Sequence, residues 1–215
     1  LVLLGIALVL FQDLKLRQRT TDRPLPAPDA PHPLDPYGVS KLEAERALGV
    51  LARETGLPVV IVRPPLVYGP GVKANFFALL KWLDRGVPLP FGAIHNRRSL
   101  VALENLVDLL AVCVDHPAAP GQTLLVSDGE DLSTTELLRR LAAALGKRAR
   151  LVPVPQRALI LAARALGAGS IAQRLCGSLC VDAAPTRRLL GWAPPVSVDE
   201  GLRAAAEAFR REARG

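Results

Sequence analysis

Apolar and polar residues fall along the chain in blocks whose period switches between strand-like and helical. The first block, "LVLLGIALVLF", is eleven residues of almost unbroken apolar character, the pattern of a strand buried on both faces of a parallel sheet. A membrane span takes about 20 residues, and a secretory signal needs basic residues ahead of its apolar run, which this one lacks. A clipped membrane or signal segment is the alternative assignment. A chain that begins inside an apolar strand is expected to lack its beginning.

Residues 20–36, "TTDRPLPAPDAPHPLDP", hold six prolines and predict a loop. Asp35 as N-cap and Pro36 at the first helical position then open a helix through "YGVSKLEAERALGVLARETG", closed by Gly56. "LPVVIVRP" is a β-branched apolar run ended by prolines, a buried strand. Residues 72–85 read as helix and "RSLVAL" as strand. "LENLVDLLAVCVDH" is an amphipathic helix with Leu106, Leu109, Leu110 and Cys113 on one face. "QTLLVSD" is a short strand, and "LSTTELLRRLAAALG" a helix whose Ser133 and Glu136 have capping-box spacing. "ARLVPVP" looks strand-like; helices follow from about Pro155 to Leu166 and from Ser197 onward. Strands alternating with helices predict an α/β fold with crossover connections and no internal repeat.

A chain of 215 residues, half of them hydrophobic and with a mean hydropathy of +0.25, can bury a full core. Its net charge of +7 comes from 22 Arg against 5 Lys, spread along the sequence. Nucleic acid is disfavoured as a partner, because a basic groove of that kind interleaves aromatics, and these make up only 4%. Arginines for a phosphorylated small ligand fit better. Cys113, Cys176 and Cys180 are odd in number, and Cys176 and Cys180, four apart, have no histidine nearby, so reduced thiols are expected rather than a disulfide framework or a metal site.

The candidate chemistry lies in "DPYGVSK". Tyr37 and Lys41 stand four apart at the start of a helix, where residues i and i+4 share a face. A phenol has a reference pKa near ~10, and a neighbouring ammonium plus the positive end of the helix dipole favour its ionised form. That makes Tyr37 a candidate general acid/base for a hydroxyl or carbonyl. Alternatively, Tyr37 packs on the proline-rich loop and Lys41 pairs with Glu45 in solvent. Spacing alone leaves both open.

Four segments in order, "DPYGVSKLEAE", "VRPPLVYGPG", "RRSLVALENLVDLL" and "RRLLGWAPPVSVDEGL", resemble the extended short-chain dehydrogenase/reductases, the NAD-dependent epimerases and dehydratases of nucleotide sugars. The likeness runs from about Thr20 onward, and the nucleotide-sugar 4-epimerases are the branch most resembled. It implies the C-terminal part of a Rossmann-like doubly wound parallel sheet with a small mixed α/β substrate-binding subdomain. The core would take about residues 1–63 and 98–127, and the substrate-binding part about 64–97 and 128–215. It also implies NAD as cofactor (NADP not excluded), a UDP-sugar substrate, a cytoplasmic location without a stable membrane span, and a possible homodimer.

By the same resemblance, Tyr37 is the catalytic acid/base, and Lys41 binds the nicotinamide ribose while lowering the Tyr37 pKa. Pro64 offers backbone to the carboxamide end of the cofactor. Asn75 holds the sugar nucleotide, unless it only caps the helix over "FFALLKWL". Arg98 clamps the diphosphate, unless it is a solvated charge at a strand end.

Three departures accompany the likeness. Leu66 stands where relatives near UDP-galactose epimerase carry Asn. "LVLFQDLKLRQR" offers no hydroxyl for the family's Ser-Tyr-Lys set before Thr20 and Thr21, which are too near Tyr37. No Gly-x-x-Gly-x-x-Gly occurs, so the backbone loop that grips the cofactor pyrophosphate is missing, and the chain is expected to be the C-terminal two-thirds of such an enzyme. A non-catalytic sugar-nucleotide-binding or partner-binding remnant, or a 4-ketosugar reductase or dehydratase of the same family, are the alternative functions.

Overall fold

The computed structural model of the protein describes residues 7–10, 36–165, 167, 169 and 175–213. The strand expected in the opening apolar block is present over β1 (Ala7–Leu10). It pairs in parallel with β2 (Val59–Arg63), Ala7 opposite Val59 and Leu10 opposite Val62. On its other side β2 pairs in parallel with β5 (Thr123–Leu125), giving a first sheet of order β1-β2-β5. β2 is β-branched at four of its five positions, which suits a strand covered on both faces, and Val59, Val60 and Val62 are buried.

The helix predicted behind the proline-rich loop is α1 (Pro36–Thr55), ended by Gly56 in the left-handed conformation at φ 71°. Asp35 and the rest of that loop lie outside the described residues.

Pro64 and Pro65 carry the chain from the first sheet into a second. There β3 (Leu66–Tyr68) pairs in parallel with β4 (Arg98–Ala102), which pairs antiparallel with β6 (Asp131–Leu132). Between β3 and β4 lies α2 (Ala74–Asp84). Its N-cap is Lys73, so Asn75 is the second residue of the helix and not its cap, a correction to the capping alternative. α3 (Leu103–Asp115) leaves β4 directly and lays Leu106, Leu109 and Cys113 on Val60, Val62 and Leu124 of the first sheet. Thus β4 belongs to the second sheet, while the helix that follows it covers the first.

α4 (Thr134–Ala144), α5 (Gln156–Ala165), α6 (Ala184–Leu190) and α7 (Val198–Glu212) complete the described elements. Leu137, Leu138, Leu141 and Ala142 of α4 meet Leu202, Ala205, Ala206 and Phe209 of α7 in a second core, which also holds Tyr68, Phe76 and Leu80. At α4, Ser133 accepts from the Glu136 amide at 3.0 Å, but the Glu136 carboxylate takes the Arg140 guanidinium at 2.9 Å. The complete capping box is at α7, where Ser197 Oγ accepts from the Glu200 amide and Glu200 Oε2 accepts from the Ser197 amide.

"ARLVPVP" forms no strand: Leu151 makes a single parallel bridge to Leu89. Pro153 and Pro155 have no N–H to extend a ladder. Gly92 lies flat against the segment, and a Cβ there would sit 2.9 Å from Pro153 N. Among the described residues no helix is long and apolar enough to cross a membrane.

The two sheets are joined at Asp128. Its Oδ2 accepts from the Tyr68 phenol at 2.8 Å; its Oδ1 accepts from Asn105 Nδ2 at 2.7 Å and the Ala102 amide at 2.9 Å. Asn105 also donates to Val196 O and accepts from the Val196 amide, and the Tyr68 phenol reaches Val198 O, which draws in the start of α7. Burial pushes the Tyr68 phenol above its usual range, with the Asp128 carboxylate adding to the effect. Burial also raises the Asp128 carboxyl, while its three donors pull the other way. Asp128→Ala strands the Ala102 amide and an Asn105 N–H, at roughly 1–3 kcal/mol each, and leaves the Tyr68 phenol only Val198 O, whereas Tyr68→Phe removes a single donor. Chemical denaturation is expected to show a loss above about 3 kcal/mol for Asp128→Ala and about 1 kcal/mol for Tyr68→Phe.

Candidate active site

In a parallel sheet with crossover helices, strand carboxyl ends and helix N-termini collect at one edge, where ligands bind in folds of this kind. Here that edge is the end of β2 and the start of α1. Tyr37 is the second residue of α1, and Lys41, one turn later, is half-buried. The Tyr37 side chain lies outside the described residues. One turn beyond Lys41 comes Glu45, 8% exposed, whose Oε1 accepts from Nη2 of Arg63 at 2.5 Å. Arg63 is the last residue of β2 and is itself 7% exposed.

The solvent-exposed Lys41–Glu45 pair therefore gives way to a different arrangement, with the Glu45 carboxylate buried on Arg63. Residues four apart share a helix stripe, so this anchor turns the positions of Tyr37 and Lys41 toward the carboxyl end of β2. Pro64 follows there at once, buried, with Pro65 behind it. Neither proline has an N–H, so this corner offers carbonyl acceptors only.

The other two predicted site residues lie in the second sheet and its helices. Arg98 opens β4, half-buried between Leu132 of β6 and Leu179, with which it makes a bridge. Asn75 lies in the first turn of α2, and its side chain is outside the described residues. Leu66, at the point where relatives were expected to carry Asn, is exposed in β3. The structure thus places Lys41 and Pro64 on one side of the Pro64–Pro65 junction, and Asn75 and Arg98 on the other.

The start of β4 is strapped to residues 175–181. Asn96 donates to Leu175 O and Gly177 O, the Arg97 amide to Ser178 Oγ, and the Val181 amide to Ser99 Oγ. Ser99 in turn donates to Asp131 Oδ1 at 2.6 Å, and Arg97 to Asp131 Oδ2 at 3.2 Å. Sequence reasoning gave Glu45 a different partner, Lys41, and passed over Arg63, Asp131 and Asp128. For Arg63 and its pairing with Glu45 the signal was present: an arginine ends an apolar strand, and a glutamate continues the Tyr-Lys stripe.

The profile described as the NAD dependent epimerase/dehydratase family matches residues 17–126, just over half of the chain. The chain belongs to that family. A UDP-glucose 4-epimerase of Vibrio cholerae is 49% identical over 187 residues, covering 86% of this chain and 57% of its own length. Among solved structures, this family member superposes on a UDP-glucuronic acid 4-epimerase from Bacillus cereus in complex with NAD (TM-score 0.73, 20% identity), covering 95% of this chain and 62% of that one. It also superposes on a Thermotoga maritima UDP-glucose 4-epimerase with UDP-glucose (TM-score 0.72, 23% identity), covering 97% of this chain and 65% of that one. The chain thus spans rather more than half the length of these relatives. The fold is the Rossmann-like α/β arrangement of epimerases, seen here in its parallel first sheet.

The thiols of this family member are held in the unreactive form. Burial pushes Cys113 up to about 11, and burial with Asp131 beside it pushes Cys180 up to about 12; burial raises Cys176 too. At pH 8 on the order of one Cys113 thiol in a thousand is ionised. Iodoacetamide followed by mass spectrometry is expected to label the native chain slowly and all three cysteines rapidly in denaturant. The native rate should rise with pH from 8 to 10.

Proposed function

We propose that this chain carries the catalytic pair and the substrate side of an NAD-dependent UDP-hexose 4-epimerase. The 49% identity to the Vibrio cholerae UDP-glucose 4-epimerase carries the reading. The stripe anchored by Glu45 supports it, since it turns the Tyr37 and Lys41 positions to the edge where such sheets take ligands.

The residues present fit the nicotinamide end of the cofactor. The Pro64–Pro65 corner is rich in acceptors, which suits a primary carboxamide, and Lys41 supplies donors for ribose hydroxyls. With no glycine trio in the 215 residues, the fit stops short of the pyrophosphate. When bound, NAD supplies the hydride acceptor and donor.

Tyr37, favoured as phenolate by Lys41 and by its place in the first helical turn, takes the proton of the sugar 4-hydroxyl and later returns it. Arg98 holds the UDP diphosphate through its planar fork of donors, and Asn75 meets the sugar nucleotide from the first turn of α2. Residues 64–97 and 128–215 form the substrate-binding part on this reading.

Tyr37→Phe, made in the full protein and assayed with UDP-glucose, is expected to lower kcat by ~10²–10⁴ while leaving UDP affinity within a few-fold. Near-normal turnover would make Tyr37 a packing residue and end the epimerase reading. A product stopped at the 4-keto stage would point instead to a dehydratase or reductase of the same family.

Arg98 is tested separately by calorimetry. A charge-assisted hydrogen bond contributes roughly 1.5–3 kcal/mol, so Arg98→Ala is expected to weaken UDP about ten- to a hundredfold with NAD affinity little changed. Unchanged UDP affinity would return Arg98 to a solvated strand-end charge.

A further inference from the structure

Among the described residues, the helix that carries Tyr37 and Lys41 has little apolar grip on the fold. Neither of the two apolar cores among the described residues takes a side chain from α1, and Val39, Val50 and Leu51 on it are exposed. Glu45 is the one buried residue among its described side chains. A carboxylate is left in such a place only when a counter-charge and hydrogen bonds meet it, and Arg63 does so from the end of β2.

A pair like this adds little net stability over two apolar side chains of the same size. What it adds is placement. Apolar surfaces slide over one another at small cost, whereas a hydrogen bond weakens steeply as distance and angle leave their narrow optimum. Rotation of α1 by one residue, about 100° about its axis, would carry Glu45 off Arg63 altogether.

We propose that Glu45 and Arg63 are positioning residues of the active site. Their ion pair sets the rotation and height of α1 against β2, so that the stripe of Tyr37 and Lys41 stands beside Pro64. Lys41 lies one turn before Glu45 and Tyr37 two turns before it, so an error at the anchor is passed directly to both. The proposal rests on the epimerase reading above. Neither residue takes part in the chemistry; both act through the helix.

Glu45→Gln alone removes the carboxylate that meets the buried Arg63 guanidinium and can unfold the chain. The decisive variant therefore removes both charges, as Glu45→Met with Arg63→Met. In the full protein it is expected to melt within a few degrees of the parent and bind UDP within about twofold, while kcat falls about ten- to a hundredfold. Amide hydrogen exchange over residues 38–45 is expected to quicken by about tenfold or more, with the β2 amides unchanged. A kcat within about twofold of the parent would overturn the proposal, because catalysis would then not depend on the anchor.

Tyr37→Phe run alongside separates the two ideas. If that variant keeps its turnover, the epimerase reading fails by itself. Exchange in the double variant then decides whether the pair places α1, and unchanged exchange overturns that as well.

Discussion

Asp128 stands just beyond the end of β5 and gathers donors from three directions within 2.9 Å: a phenol from β3, a side-chain amide from α3 and the backbone amide at the end of β4. Through Tyr68 and Asn105 the same cluster reaches Val196 and Val198 at the entrance to α7. An unsatisfied carboxylate in this position would be costly, and so would three unsatisfied donors, so the groups hold one another in register. Both apolar cores border this cluster. Tyr68 and Ala102 belong to the core of Leu100, Leu138 and Leu202, and Leu106, next to Asn105, to that of Val60, Val62 and Leu109. Placement of the two sheets relative to each other, and hence of any site between them, depends on this carboxylate keeping its partners.

The elements legible in the sequence were those whose periodicity is local. β2 announced itself by "VVIVR" before two prolines, α3 by Leu106, Leu109 and Cys113 on one face, and α7 by its start at Ser197. β3 and β6, three and two residues long, carry too little pattern to see and exist because β4 lies beside them. "ARLVPVP" misled for the opposite reason. Its alternation is strand-like, but its prolines allow only the single bridge at Leu151.

The site was legible to a similar depth. Tyr37 and Lys41 were visible because helical spacing and family likeness point to the same pair. Glu45 was visible but assigned to the wrong partner, because its counter-charge is 18 positions away on another element. Sequence distance hides such pairs: i,i+4 neighbours can be read along a helix, whereas strand-to-helix neighbours emerge only once the fold is built. Asp128 and Asp131 escaped notice for the same reason, since each collects partners from segments far away in the chain.

The packing of α7 also has a bearing on how the chain comes off the ribosome. Val198, Leu202, Ala205, Ala206 and Phe209 are integral to the core that begins at Tyr68, and Gly201 passes so close that a Cβ would stand 2.8 Å from the Tyr68 phenol oxygen. Nothing made earlier can substitute for that surface. The strands of the first sheet are all synthesised by Leu125, along with α3, so pairing and burial there can start while translation continues. The second core must wait, open and apolar, for more than seventy further residues, and over that interval the nascent chain is most exposed to misassociation and most in need of a chaperone.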